Sequence, residues 1–233
     1  TTSGQHYTVT NAQPLIKQLA TVTTSGAGAA VSPVPSAAQN QSAQNESALL
    51  NFAGILFAIV MVALTAVYAA LALNQLIETR FRQDALQVIG FNRLARRLTP
   101  VQLAEAEPEW TQGTNLQHAL LLALRHVRRH PDAEPVVLVV TDGEPTAHLT
   151  GGGEAYFQWP TTSETLRATI AEVDELTRYG ATINTFMLGD DPGLARFVDA
   201  LARRAGGRIF TPDISRLGEY VVADYLRVRR GRR

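Results

Sequence analysis

The sequence contains no cysteine, which excludes disulfide bonds, thiolate metal sites and a cysteine nucleophile. One end is almost devoid of charge. From Thr1 to Ile77 the only charged side chains are Lys17 and Glu46, whereas all 20 arginines and the other 20 acids lie from Glu78 onward. Two kinds of segment therefore join near residue 77. Formal net charge is zero, so no global excess of basic side chains recruits nucleic acid. Asp-x-Ser-x-Ser occurs nowhere, and the single Asp-x-Ser is Asp213-Ile214-Ser215. Apolar residues, by contrast, are abundant: they make up 45% of the 233 residues, enough for one domain with its own core plus a further segment.

Residues 1–47 are rich in Thr, Ser, Ala, Gln and Asn, with Pro33 and Pro35 and no sustained apolar period. Such a segment buries too little surface to offset its ordering entropy and reads as disordered, apart from a short helix around Ala12 to Ala20. Leu49 to Leu73 is an apolar run of 25 residues. At about 1.5 Å per residue it is long enough to cross a hydrocarbon core of roughly 30 Å. Residues 48–77 accordingly read as a single transmembrane helix. Arg80, Arg82, Arg93, Arg96 and Arg97 on the following flank would put the C-terminal part in the cytoplasm. A cytoplasmic soluble alternative makes Gly54 to Val62 a first buried strand and Leu64 to Phe81 the helix after it. The same span cannot serve both ways.

From Asp84 strands and helices alternate. Ala85 to Phe91 reads as a strand and Leu94 to Leu98 as an edge strand. Thr99 to Thr111 forms an acidic loop. Asn115 to Arg129 reads as a helix with Leu116, Ala119, Leu120, Ala123, Leu124 and Val127 on one face. Pro135 to Val140 carries no polar side chain and is closed by Asp142-Gly143, the pattern of a strand buried on both faces and then a turn. Helices over Glu164 to Tyr179, Leu194 to Ala205 and Leu217 to Val228 alternate with strands over Thr182 to Leu188 and Arg208 to Phe210. This order predicts an α/β fold over 78–233, a doubly wound, mostly parallel sheet with helices on both faces.

In such sheets ligands bind beyond the carboxyl ends of the strands, where Asp142 falls. Gly113-Thr114-Asn115 stands at a helix start on the same edge. A hydroxyl and a carboxylate placed this way could face one hard cation such as Mg²⁺. Their order and surroundings resemble the von Willebrand factor type A (vWA) family, over roughly residues 70 to 228. That Rossmann-like bacterial type carries a metal-ion-dependent adhesion site built from an Asp-x-Ser-x-Ser loop, a threonine and an aspartate. Thr114 matches the second part and Asp142 the third, while Asn51 to Ala70 contains neither Asp nor Ser. The resemblance implies a non-catalytic protein-interaction domain that binds a partner's Asp or Glu through Mg²⁺, with Mn²⁺ as a substitute. Thr114 and Asp142 would be the ligands, and Gly113, Asn115, Gly143 and Glu144 would shape the loops. An incomplete site implies weak metal binding or none. An AAA+ ATPase is the kind of partner the resemblance suggests, at a membrane.

The alternatives are a hydrolase-like enzyme using Asp142 and His148 in the same cleft, or a structural membrane-tethered domain. His126 and His130, four apart, suit the basic end of a helix better than a zinc site. Asp213 reads as an N-cap. Gly151-Gly152-Gly153 reads as a flexible loop, since no Lys-Ser/Thr follows it.

Overall fold

Short β-branched runs set between amphipathic helices build the fold, which a computed structural model describes for residues 37–105 and 113–230. The chain divides into two units, Thr1–Leu50 and Asn51–Arg233. In the first unit the described residues, 37–50, are helical; residues 1–36, with the helix expected at Ala12 to Ala20, lie outside the described part.

The second unit holds the sheet elements. Helix α1 spans Ala37–Arg80 and is followed by strands β1 (Val88–Phe91) and β2 (Ala95–Leu98), short helix α2 (Pro100–Ala104) and helix α3 (Leu116–Val127). Next come β3 (Val136–Thr141), β4 (Ala147–Leu149), β5 (Ala155–Phe157), α4 (Ser163–Arg178), β6 (Thr182–Met187), α5 (Pro192–Ala205), β7 (Ile209–Phe210) and α6 (Leu217–Arg230). The expected loop after Leu98 begins instead with α2, because Thr99 and Gln102 close a reciprocal capping box and Pro100 sits where no amide hydrogen is needed.

The fold is α/β, with one correction to the expected single sheet. Among the described residues the parallel sheet has three strands in the order β3-β6-β7, and β1 and β2 form a separate antiparallel hairpin. Val136 pairs with Thr182 and Thr141 with Met187. Antiparallel β4 and β5 were not legible: the three glycines at 151–153 read as an open loop but turn a hairpin that pairs Ala147 with Phe157.

Side chains alternate across the sheet, as its pleat requires. Val139 and Ile183 face one cluster with Leu120, Leu124, Val173, Leu176, Val198 and Leu201 from α3, α4 and α5. Leu138, Val140 and Phe186 face a second cluster with Ala69, Leu73 and Ile77 of α1 and Leu217 and Val221 of α6. Burying each such Leu, Ile or Val fully contributes about 1.5–3 kcal/mol.

That second cluster bears on the transmembrane expectation for 48–77. Ala69, Leu73 and Ile77 recur at helical spacing and are buried against the sheet, so their apolarity serves the domain core. Among the described residues no helix is long and apolar enough to cross a membrane, and the expectation of a membrane span gains no support. Leu64 to Arg80 is helical, and so is Gly54 to Val62, which the alternative reads as a strand.

The end of α1 is clamped to the end of α6. Tyr225 Oη donates to Asp84 Oδ2 at 2.5 Å, Arg229 pairs with the same carboxylate, and its guanidinium lies 4.3 Å from the centre of the Phe81 ring. Burial, then the hydrogen bond to Asp84, push the Tyr225 hydroxyl up to about 12. Arg229 is thus part of this clamp.

Candidate functional site

The candidate site lies where β1 and β3 both end. Thr114 is fixed by its backbone: its N–H donates to Thr146 Oγ1 at 2.9 Å, and its carbonyl accepts from the amides of Thr146 and Ala147 at 3.1 and 3.3 Å. The Thr114 hydroxyl lies beside Gly143, 3.9 Å from where a Cβ on that glycine would stand. The second and third motif elements, 28 positions apart in the chain, are therefore brought to one edge. Gly113 is required there: its φ is +131°, and a Cβ would fall 3.2 Å from Arg93 Cα and 3.3 Å from the Phe157 ring.

Past the end of β3, Thr141 Oγ1 donates to the Gly143 carbonyl at 2.9 Å, which shapes the turn. Asp142 is exposed, so its carboxylate is open to a ligand. The Glu144 carboxylate lies against Gly193, in the first turn of α5, where helix N-terminal amides favour negative charge.

Asn115 is completely buried. Its Oδ1 accepts from the His118 amide at 2.9 Å, capping α3, and its Nδ2 donates to the Arg93 carbonyl at 2.9 Å. It holds the loop from behind instead of presenting a group on the edge. The imidazole of His118 accepts from the Ala95 amide at 3.1 Å through Nδ1. Burial, helped by the nearby Arg125 charge, pulls its pKa below 6.5. The role of Thr146 is not legible in the sequence, since it depends on the β4–β5 hairpin returning to Thr114.

The other candidates lie elsewhere. His148 is buried between the β4–β5 hairpin and α4, with Nδ1 3.0 Å from Thr165 Oγ1 and Nε2 3.8 Å from Glu164 Oε1. Both ring nitrogens face that hairpin–helix contact, and no such contact joins His148 to Asp142. The rings of His126 and His130 are tilted by 49° with centres 4.5 Å apart, and His130 Nδ1 lies 3.0 Å from the His126 carbonyl. Asp213 accepts from the amide and hydroxyl of Ser215, at 3.0 and 2.9 Å, as an N-cap. Among the described residues no group of three or more His, Asp or Glu side chains is gathered to hold a metal. At the Thr114–Asp142 edge the donors are one carboxylate and one hydroxyl, fewer than firm Mg²⁺ binding demands; the residues do not complete a metal site.

Residues 61–226 match a family model described as the vWA domain of Rv0959-like protein. The match takes in the half of α1 that carries Ala69, Leu73 and Ile77, in agreement with their place in the core. The uncharacterized proteins Rv0959 of Mycobacterium tuberculosis and Mb0984 of Mycobacterium bovis are each 53% identical to this chain over 165 residues, 69% of this chain and 25% of theirs. The chain spans about a quarter of the length of the curated relatives it matches.

Proposed function

From the premise that the chain belongs to the Rv0959-like vWA family, we propose that it is a non-catalytic interaction domain that captures a protein partner at the Thr114–Asp142 edge. The observation that carries this reading is the convergence of the Thr114 hydroxyl, Gly143 and the exposed Asp142 beyond the ends of β1 and β3. Asp142 and Thr114 meet the partner's polar groups, Gly143 lets its backbone approach closely, and Gly113, Asn115, Thr146 and Glu144 hold the loops in place. Because the edge offers only two oxygen donors, recognition does not depend on a tightly held Mg²⁺ or Mn²⁺ ion. The partner group that reaches Asp142 is a hydrogen-bond donor, since a partner Asp or Glu would meet the Asp142 carboxylate with like charge unless a cation stood between them. An AAA+ ATPase is the class of partner to look for, on the strength of the family resemblance.

The test is affinity capture from a bacterial lysate with the whole chain and with Asp142→Ala, each with and without EDTA. Capture of an ATPase by the native chain, lost in Asp142→Ala and retained in EDTA, is expected. Asp142 is exposed, so its replacement changes stability by no more than about 0.5 kcal/mol, and loss of capture would report binding. Equal capture by both chains would move the site away from this edge. Capture abolished by EDTA would mean that a metal is held after all.

A further inference from the structure

The β4–β5 hairpin carries an indole to the edge where Thr114 and Asp142 meet. Gln158 N–H donates to the Thr146 carbonyl at 3.1 Å, one register step beyond the pairing of Ala147 with Phe157. The next step sets Trp159 alongside Pro145, three residues and at most about 11 Å of chain from Asp142. Side chains alternate along such a strand. Tyr156 and Gln158 share one face, where Tyr156 Oη donates to Gln158 Oε1. Phe157 takes the other, with its ring 3.3 Å from the position of a Cβ on Gly113. Trp159 follows Phe157 to the Gly113 side, and it is 69% exposed.

Elsewhere the chain covers its own part-exposed rings with guanidinium groups. Arg128 lies 5.0 Å from the centre of the Tyr179 ring, Arg208 5.6 Å from that of Phe210 and Arg216 5.7 Å from that of Tyr220. Among the described residues no cation lies over Trp159, although an indole attracts cations more strongly than the smaller rings do. Asp142, exposed on the same edge, accepts hydrogen bonds and donates none. The charge around it has one sign. The loops that follow β3, β6 and β7, residues 141–146, 188–191 and 211–213, carry Glu144 and four aspartates and no Lys or Arg. Arg93, whose backbone packs on Gly113, stands on the β1 side.

Resting on the reading of this edge as a partner site, we propose that the partner group it takes is an arginine guanidinium, held between the Asp142 carboxylate and the Trp159 ring. The guanidinium supplies the donors that Asp142 requires, in a planar fork that matches a carboxylate. Its flat face stacks on the indole, which a compact, strongly hydrated lysine ammonium cannot do as well. The neighbouring carboxylates attract a basic segment as it approaches and turn away an acidic one. Trp159 is then a specificity residue, and recognition needs no metal.

Proton–nitrogen correlation NMR of the whole chain tests this, by titration with the pentapeptide acetyl-Gly-Gly-Arg-Gly-Gly-amide and its lysine, citrulline and glutamate counterparts. The arginine peptide should shift the Asp142 and Gly143 amides and the Trp159 indole N–H together and saturably. It should bind more tightly than the lysine peptide and at least about tenfold more tightly than the uncharged citrulline peptide, with no response to glutamate. Asp142→Asn should weaken arginine binding at least about tenfold. Trp159→Leu, which keeps apolar bulk at an exposed position, should weaken it about threefold and leave the citrulline peptide unchanged. A lysine or citrulline peptide that binds as tightly as the arginine one, a silent Trp159 indole, or undiminished binding in Trp159→Leu would overturn the proposal. Capture of the ATPase separates this proposal from the reading it rests on. Capture lost in Asp142→Ala but intact in Trp159→Leu would keep the edge as the site and remove the arginine assignment, whereas capture intact in Asp142→Ala would remove both.

Discussion

The carboxylate of Glu144 fills the space that a side chain at Gly193 would need: a Cβ built there would stand 1.5 Å from Glu144 Oε1. The contact ties the loop after β3 to the first turn of α5, and Asp191, which caps α5 by accepting from the Leu194 amide at 2.7 Å, flanks it.

Gly193→Ala displaces the Glu144 side chain but meets no backbone at close range, and the flexible carboxylate moves aside. The expected cost is the lost interaction with the helix terminus, about 0.3–1 kcal/mol, partly offset by the better helix propensity of Ala. Thermal unfolding should therefore shift by no more than about 3 °C. Partner capture at the Thr114–Asp142 edge should fall, because the loop that carries Asp142 loses its anchor. Unaltered capture would mean that Glu144 does not hold that loop.

Asn115 carries the opposite balance, a large structural role with no exposed surface. Asn115→Ala removes the cap of α3 and leaves the Arg93 carbonyl without its donor. A lost cap costs about 0.5–2 kcal/mol and a buried unpaired carbonyl about 1–3 kcal/mol. A drop of about 5–10 °C in Tm is expected. Asn115→Asp keeps the cap but sets a buried carboxylate oxygen against the Arg93 carbonyl, and should melt no higher than Asn115→Ala. A calorimetric scan of the three chains checks the order; equal melting of Asn115→Ala and the native chain would rule out the cap.

Much of this was readable from the residues. The helical apolar faces around Leu120, Val173 and Leu201, the buried run at Val136 and the cap at Asp213 follow from local periodicity and side-chain chemistry. Bringing Thr114 to Asp142 also follows, since strand order alone puts both loops on one edge. Three features depend on contacts distant in sequence. The β4–β5 hairpin turns at Thr150 to Glu154, where glycines read equally well as a loop. Glu144 finds its place only because Gly193, on a later helix, leaves room. Leu49 to Leu73 has the composition of a membrane span, and nothing local shows that Ala69, Leu73 and Ile77 are to cover Phe186.

Protonation of His118 offers a test of how the β1–β2 hairpin is held. Its Nδ1 accepts from the Ala95 amide, which requires that nitrogen to be unprotonated. Burial and then Arg125 lower its pKa below the ordinary 6.5. The unfolded chain therefore takes up the proton first. The stabilisation from this residue is fully present above pH 6.5 and is lost as pH falls from there through the lowered folded value. His126, also lowered chiefly by burial, adds a slope of the same sign, so the native chain alone does not isolate His118. His118→Gln offers Ala95 an acceptor that does not titrate. Between pH 7.5 and 5 the variant should lose less stability than the native chain in parallel urea denaturations, with the two curves differing most at the acid end. Identical pH slopes would show that the Ala95 contact does not depend on a neutral imidazole, and the hairpin would then owe its position to Asn115 and the packing of Ala95 alone.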